Sequence, residues 1–213
     1  MSKSIWVISD THFNHASMLK FTDRTTGQMI RGCKFSSVEE MNEHMIERWN
    51  SVVKQGDTVY HLGDVVMGAN SENWMKLNWG RLNGSKRLIV GNHDDVKMLS
   101  MGGWFKKVSM WRMFPEFSCV LTHVPIHTSG LLKQPRGSTA VWPDDTDVLM
   151  NVHGHIHQNK SPQGPYMNVS VEMIDYTPVN MEDIAVIAGN YAENSWPVDK
   201  YRVLPEMFSV DNA

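Results

Sequence analysis

Alternation of strands and helices predicts an α/β fold for this chain of 213 residues. Three observations carry the prediction. Short apolar runs bounded by turn residues recur five times, and segments with helical periodicity separate the first three. Each run also ends in polar side chains of metal-binding type.

The first run, SIWVISDTH (4–12), reads as a buried strand with Asp10 and His12 at its end. A helix follows, in which Ser36 or Ser37 stands three residues before a Glu in a capping box. Val38, Met41, Met45, Trp49 and Val52 then recur on one helical face. DTVYHLGD (57–64) is the second strand and ends in Asp64. A second helix starts after Ser71, carries Trp74 and Leu77, and stops near Gly80 or Gly84. The third strand, KRLIVGNHD (86–94), delivers Asn92 and His93. A shorter helix after Asp94 or Asp95 turns Val96 and Leu99 inward and stops at Gly102-Gly103. SCVLTHVP (118–125) and VLMNVHGHIH (148–157) complete the runs, ending in His123 and in His155 and His157. The acidic stretch Asp144-Asp145-Thr146-Asp147 reads as a polar turn entering the last of them. In open α/β sheets ligands collect beyond the carboxyl ends of the strands, so five strand ends are expected to face one rim.

Composition bounds the function classes. A hydrophobic share of 41% with 20% charged residues is globular, and the length suits one domain over residues 1–213. A net charge of −3 disfavours a protein built to hold nucleic acid or an acidic membrane. Cys33 and Cys119 form no metal or redox motif, which fits a reducing, cytoplasmic setting. The apolar start is too short for a signal peptide or a membrane span. Oligomeric state has no signature in the sequence.

The rim residues supply carboxylates, imidazoles and one carboxamide. That mixed oxygen–nitrogen set suits borderline divalent ions, manganese first, with iron, nickel, cobalt or zinc as alternatives. Without thiolates a closed structural zinc site is not expected. There are more donors than one ion needs, so two ions are expected.

The series D-T-H, G-D, G-N-H-D, H and G-H-I-H, in this order, resembles the calcineurin-like metallophosphoesterase superfamily, in its small bacterial and phage members. The resemblance spans about residues 5 to 160, and NVSVEMIDYTPVNMEDI after it resembles the closing strand and helix of such members. It implies a two-sheet β-sandwich flanked by helices, in four layers, with a dinuclear metal centre at the strand ends. Carried over position by position, Asp10, His12 and His157 hold one ion. Asn92, His123 and His155 hold the other, and Asp64 bridges the two. His93 faces the leaving group, with Asp94 orienting its imidazole. The implied activity is hydrolysis of phosphate esters, with a metal-bound hydroxide as nucleophile.

Departures from the superfamily's patterns narrow the substrate. V-V-M-G follows Asp64, so the acidic and arginine members of the protein-phosphatase signature are missing. A compact acidic chain also fits the repair nucleases poorly. A small phosphodiester or nucleotide is the expected substrate; a phosphomonoesterase, a nuclease or a non-catalytic scaffold are the alternatives. The loop from Phe13 to Phe35 is either a pocket wall, with His15 or Arg31 against a phosphate or base, or a solvated surface loop. His44 is expected to be solvated, His61 to be a core or surface residue outside the chemistry, and His153 to pack or hydrogen-bond behind the site. Gly154 is expected to let the backbone turn so that His155 and His157 reach different ions. From residue 188 onward no functional signal is legible.

Overall fold

The computed structural model describes residues 3–127 and 149–193. The expected Asp144–Asp147 turn and the tail from residue 194 lie outside those residues. The strands are β1 (Ile5–Ile8), β2 (Thr58–His61), β3 (Ser85–Ile89), β4 (Val108–Ser109), β5 (Trp111–Phe114), β6 (Cys119–Thr122), β7 (Met150–His153), β8 (Tyr166–Asn168) and β9 (Val179–Asn180). The helices are α1 (Val38–Val52), α2 (Ser71–Asn78), α3 (Val96–Met101) and α4 (Met181–Glu193).

Two mixed sheets result, one in the order β4-β3-β2-β1-β9 and the other β5-β6-β7-β8. Strands β1 to β4 run parallel and β9 antiparallel to β1. In the second sheet β6, β7 and β8 are parallel and β5 is antiparallel. Parallel neighbours end at the same edge of a sheet, so the polar residues after β1, β2 and β3 share one edge, as do those after β6 and β7. The two edges are joined directly. Ser9, after β1, donates to the Val169 carbonyl (3.0 Å) and accepts from Val171 (3.1 Å), while within the second edge Gly154 donates to His123 (2.9 Å).

α1 forms as its capping signal predicts. Ser37 is the N-cap and accepts from the Glu40 amide, while the Glu40 carboxylate accepts from Ser36. Its inward face carries Met41, Met45 and Trp49, all fully buried. The Trp49 ring meets Trp79 edge-on at 6.3 Å, and Trp79 in turn meets Phe105 at 5.0 Å. In α4, Met181 and Ile184 are fully buried, and the Met181 sulfur lies 3.7 Å from Cys119 Sγ in β6.

The inward face of α3 differs from expectation, and α2 also leaves an apolar residue in water. Leu77 is 69% exposed, because α2 tightens after Asn78 into a short 3-10 turn that buries Trp79 instead. Val96 is 45% exposed at the first turn of α3, leaving Leu99 as the buried anchor. His44 is half-buried instead of freely solvated: its ring lies 5.2 Å from Phe35 and 5.5 Å from Tyr176. Of its core and surface alternatives His61 takes the core: it is fully buried, with Nε2 at 2.9 Å from the Thr11 hydroxyl.

Candidate metal centre

The rim residues converge. Asp10, His12 and His157 form one group of potential ligand atoms, and Asp10, Asp64 and His123 another; within each group the atoms lie within 4.8 Å of one another. Asn92 joins His155 to the second group, its Oδ1 lying 2.8 Å from His123 Nε2 and 2.8 Å from His155 Nδ1. Asp10 belongs to both groups by distance. Asp64 is the better candidate for a shared ligand, because its Oδ2 lies 3.6 Å from His12 Nε2 and 3.5 Å from His123 Nε2.

The donor set fits divalent cations. His123 Nδ1 can only donate to the Leu62 carbonyl, 2.6 Å away, so in the metal-binding neutral form of the ring the lone pair is on Nε2, which faces Asn92 Oδ1 and Asp64. Lone pairs facing one another repel unless a cation sits among them. In the other group Asp10 Oδ1 and both ring nitrogens of His12 are buried without a hydrogen-bond partner. Unpartnered buried polar atoms are costly, and a bound ion would satisfy them.

Five of these residues share an unusual backbone. Asp10, His12, Asp64, His155 and His157 all have positive φ, between 46° and 71°. For residues with a Cβ this costs about 1–2 kcal/mol each, and such strain clusters at functional sites. Backbone hydrogen bonds hold it in place: Asp10 donates to Gly63 (3.0 Å) and His12 to Asp64 (3.0 Å). The His155 amide donates to Asp10 Oδ2 at 2.9 Å, and Ser170 Oγ donates to the same oxygen at 2.9 Å.

The turn after β7 is made differently from expectation. Gly154 does not itself adopt positive φ; His155 and His157 do. Gly154 instead provides space, since a Cβ there would lie 2.0 Å from Ser9 Oγ and 2.1 Å from Asp10 Oδ2. Similarly, a Cβ on Gly91 would lie 2.3 Å from Asp64 Oδ1, so the glycine of G-N-H-D lets the third ligand loop abut the second. His153 is fully buried behind the site, between the Gly154 carbonyl and the Ser161 hydroxyl.

Three further residues need correction or addition. Arg31 is not a substrate contact: it is fully buried, donating to the carbonyls of Asp10 (2.6 Å) and Thr11 (2.8 Å) and to Glu172 (2.8 Å). The Asp94 carboxylate accepts from the amides of Val65 (2.9 Å) and Gly91 (2.8 Å), tying two ligand loops together instead of orienting the His93 ring. Glu172 is the residue that sequence reasoning missed. Its Oε1 lies 3.0 Å from His157 Nδ1, which leaves His157 Nε2 for the site. One signal pointed to it: an acid among Val169, Val171 and Ile174 needs a buried partner. His93 is exposed at the rim, 5.9 Å from the His12 ring, with its amide donating to Asp64 Oδ1 at 2.9 Å. His15 stands 5.5 Å from His12 and 6.0 Å from Phe21.

Burial dominates the electrostatics. It pushes the His12 pKa down to about 2, helped by the Arg31 charge, and it lowers that of His155. These imidazoles are therefore neutral, as metal ligands must be. Burial raises the Asp10 pKa. For His157 burial works against the charged form, but the hydrogen bond and charge of Glu172 outweigh it and raise the pKa. For Glu172 burial is likewise outweighed, by Arg31 and His157, and its pKa is held down at about 2.

A two-sheet sandwich with a carboxylate–imidazole cluster across its strand ends defines a class, the calcineurin-like phosphoesterases. The chain belongs to that family: the family model matches residues 3–120. Among individual proteins, it is 32% identical over 192 residues to an uncharacterised protein of Methanocaldococcus jannaschii, covering 84% of this chain and 88% of that one. It is 28% identical over 170 residues to the gene 66 protein of Mycobacterium phage L5, covering 71% and 76%. A protein of unknown function from Aquifex aeolicus has a similar fold, with a TM-score of 0.58 at 23% identity over 87% of this chain and all of that one.

Proposed function

We propose that this protein is a dimetal phosphodiesterase acting on a small, nucleotide-like substrate. The observation that carries the reading is Asp64 Oδ2, buried between His12 on one side and His123 on the other. Asp10, His12 and His157 would hold one ion and Asn92, His123 and His155 the second, with Asp64 shared. When bound, two such ions supply Lewis-acid activation of water and neutralise charge developing on the phosphoryl oxygens. Manganese suits this mixed oxygen–nitrogen set, which lacks thiolates.

The chain's own groups do the rest. Asn92 donates no negative charge, so the centre stays cationic enough to draw a phosphate. His93, exposed at the rim, is placed to hydrogen-bond or protonate the departing oxygen, a role that typically contributes about 10²–10⁴-fold. His15, beside His12, lines the same side of the site. A cytoplasmic setting belongs to this reading, because Cys33 is a free thiol on the surface.

The test combines metal analysis with turnover of bis-p-nitrophenyl phosphate and p-nitrophenyl phosphate in manganese. Two ions per chain and faster diester hydrolysis are expected. His93→Ala should keep both ions and lose about 10²–10⁴-fold in turnover, whereas Asp64→Ala should lose metal and activity together. Bound metal without hydrolysis of either ester would make the protein a scaffold and end the enzymatic reading.

A further inference from the structure

One cavity adjoins the candidate metal centre and has no part in the chemistry described so far. It measures about 490 Å³, within the range of ~300–1,000 Å³ usual for small-molecule sites. Asn92 and His123, two of the candidate ligands, line it together with Met110, Trp111, Met113 and Val124.

The register of the second sheet explains the wall. Trp111 pairs with Thr122 and Met113 with Val120, so these four side chains stand on one face. The intervening pairs, Arg112 with Leu121 and Phe114 with Cys119, take the other face, where Leu121 and Cys119 are fully buried in the main core. Trp111 is 58% exposed and Met110 69% exposed. Large apolar side chains left in water beside a polar centre mark a binding surface. Among the described residues hydrogen-bonding groups are scarce here, and the Thr122 hydroxyl is already engaged, donating to the Val124 carbonyl at 2.6 Å and accepting from Asn151 at 2.8 Å.

We propose that this cavity is a subsite for the nucleobase of a phosphoester substrate, with Trp111 as the stacking surface. The proposal rests on the phosphoesterase reading above and adds the group that the substrate carries next to its phosphate. The candidate ligands Asn92 and His123 on its lining place the phosphate beside them, and the apolar side chains receive a flat ring. Since so few hydrogen-bonding groups among the described residues line the walls, the ring is read by its faces and not by its edge. Preference should therefore follow ring area, with adenine and guanine alike and both ahead of cytosine.

The experiment is calorimetric titration of the manganese-loaded full chain with AMP, GMP, CMP and methyl phosphate. Stacking of one base on an aromatic side chain is typically worth about five- to a hundredfold in affinity. AMP should bind tighter than methyl phosphate by about that factor, and AMP and GMP should agree within about threefold. Trp111→Ala should abolish the advantage of AMP while leaving metal content and methyl phosphate affinity unchanged; Trp111→Phe should keep much of it. Equal affinities for AMP and methyl phosphate, with two ions bound, would overturn the subsite and leave the phosphoesterase reading standing. Failure to bind metal or methyl phosphate would overturn that reading, and the subsite with it. Strong discrimination between AMP and GMP, or self-association of the chain that Trp111→Ala abolishes, would also overturn the subsite.

Discussion

The Glu172 carboxylate, only 5% exposed, joins the fully buried Arg31 to the half-buried His157. Arg31 in turn grips the carbonyls of Asp10 and Thr11, in the segment where Asp10 and His12 adopt positive φ. The pair thus acts on one candidate ligand through its ring nitrogen and on two others through the backbone. Removing one member of a buried ion pair typically costs about 3–5 kcal/mol, because the other charge is left uncompensated. Glu172→Ala should therefore lower unfolding stability by about that amount, as measured by urea titration. The same variant should weaken metal binding by about 10–100-fold, the usual effect of losing a carboxylate behind a metal-bound histidine. Glu172→Gln keeps an acceptor for His157 Nδ1 and should recover part of the metal affinity. Unaltered stability in Glu172→Ala would contradict the assigned role.

Each ligand loop leaves a strand that ends where its neighbours end, so the cluster depends on how closely the loops approach. Gly154 sets the closest approach, since the β7 loop passes Ser9 and Asp10 with no room for a methyl group. Gly154→Ala should displace Asp10 or the His155 turn and destabilise the fold by about 1–3 kcal/mol, as overpacking typically does. Loss of one bound ion per chain is the expected signature in metal analysis. Gly56→Ala provides a control, because a Cβ there meets nothing within 4 Å. If Gly154→Ala bound two ions with unchanged affinity, close approach would not be what this glycine supplies.

Across the whole molecule, buried neutral histidines set the response to acid. Burial pushes the His61 pKa down to about 3, with a smaller contribution from His123, and that of His153 down to about 4. The unfolded chain protonates these residues near pH 6.5, whereas the folded chain does not until far lower pH. Below pH 6.5 the unfolded state therefore binds more protons, and stability falls as the pH drops. For His61 alone the loss reaches about 2 kcal/mol at pH 5, at 1.36 kcal/mol per pH unit. Glu172 acts in a separate window: its pKa is depressed to about 2, so its contribution is complete above about pH 4.5 and declines only below it. Urea midpoints at pH 7.5 and pH 5 should differ, and His61→Gln should narrow the difference. An unchanged difference in His61→Gln would mean that other groups carry the acid response.

Hydrophobic periodicity and capping are local, so the α/β alternation, the capping box at Ser37 and the five apolar runs could be read from residues near one another. The order of D-T-H, G-D, G-N-H-D, H and G-H-I-H is equally a property of the chain. What lay beyond such reading depends on contacts between distant segments. Arg31 and Glu172 are 141 residues apart, and only the folded chain shows that Arg31 serves the ligand backbone instead of a substrate. The strand β5 escaped notice because three of its four residues are exposed and give no buried signature. The sequence by itself determined which donor atoms are available and in what order the strands deliver them. Tertiary structure alone decided which lone pairs face one another, which ligands take positive φ, and that an apolar cavity opens beside Asn92 and His123. Those are relations between loops of different strands, and no local pattern of side chains encodes them.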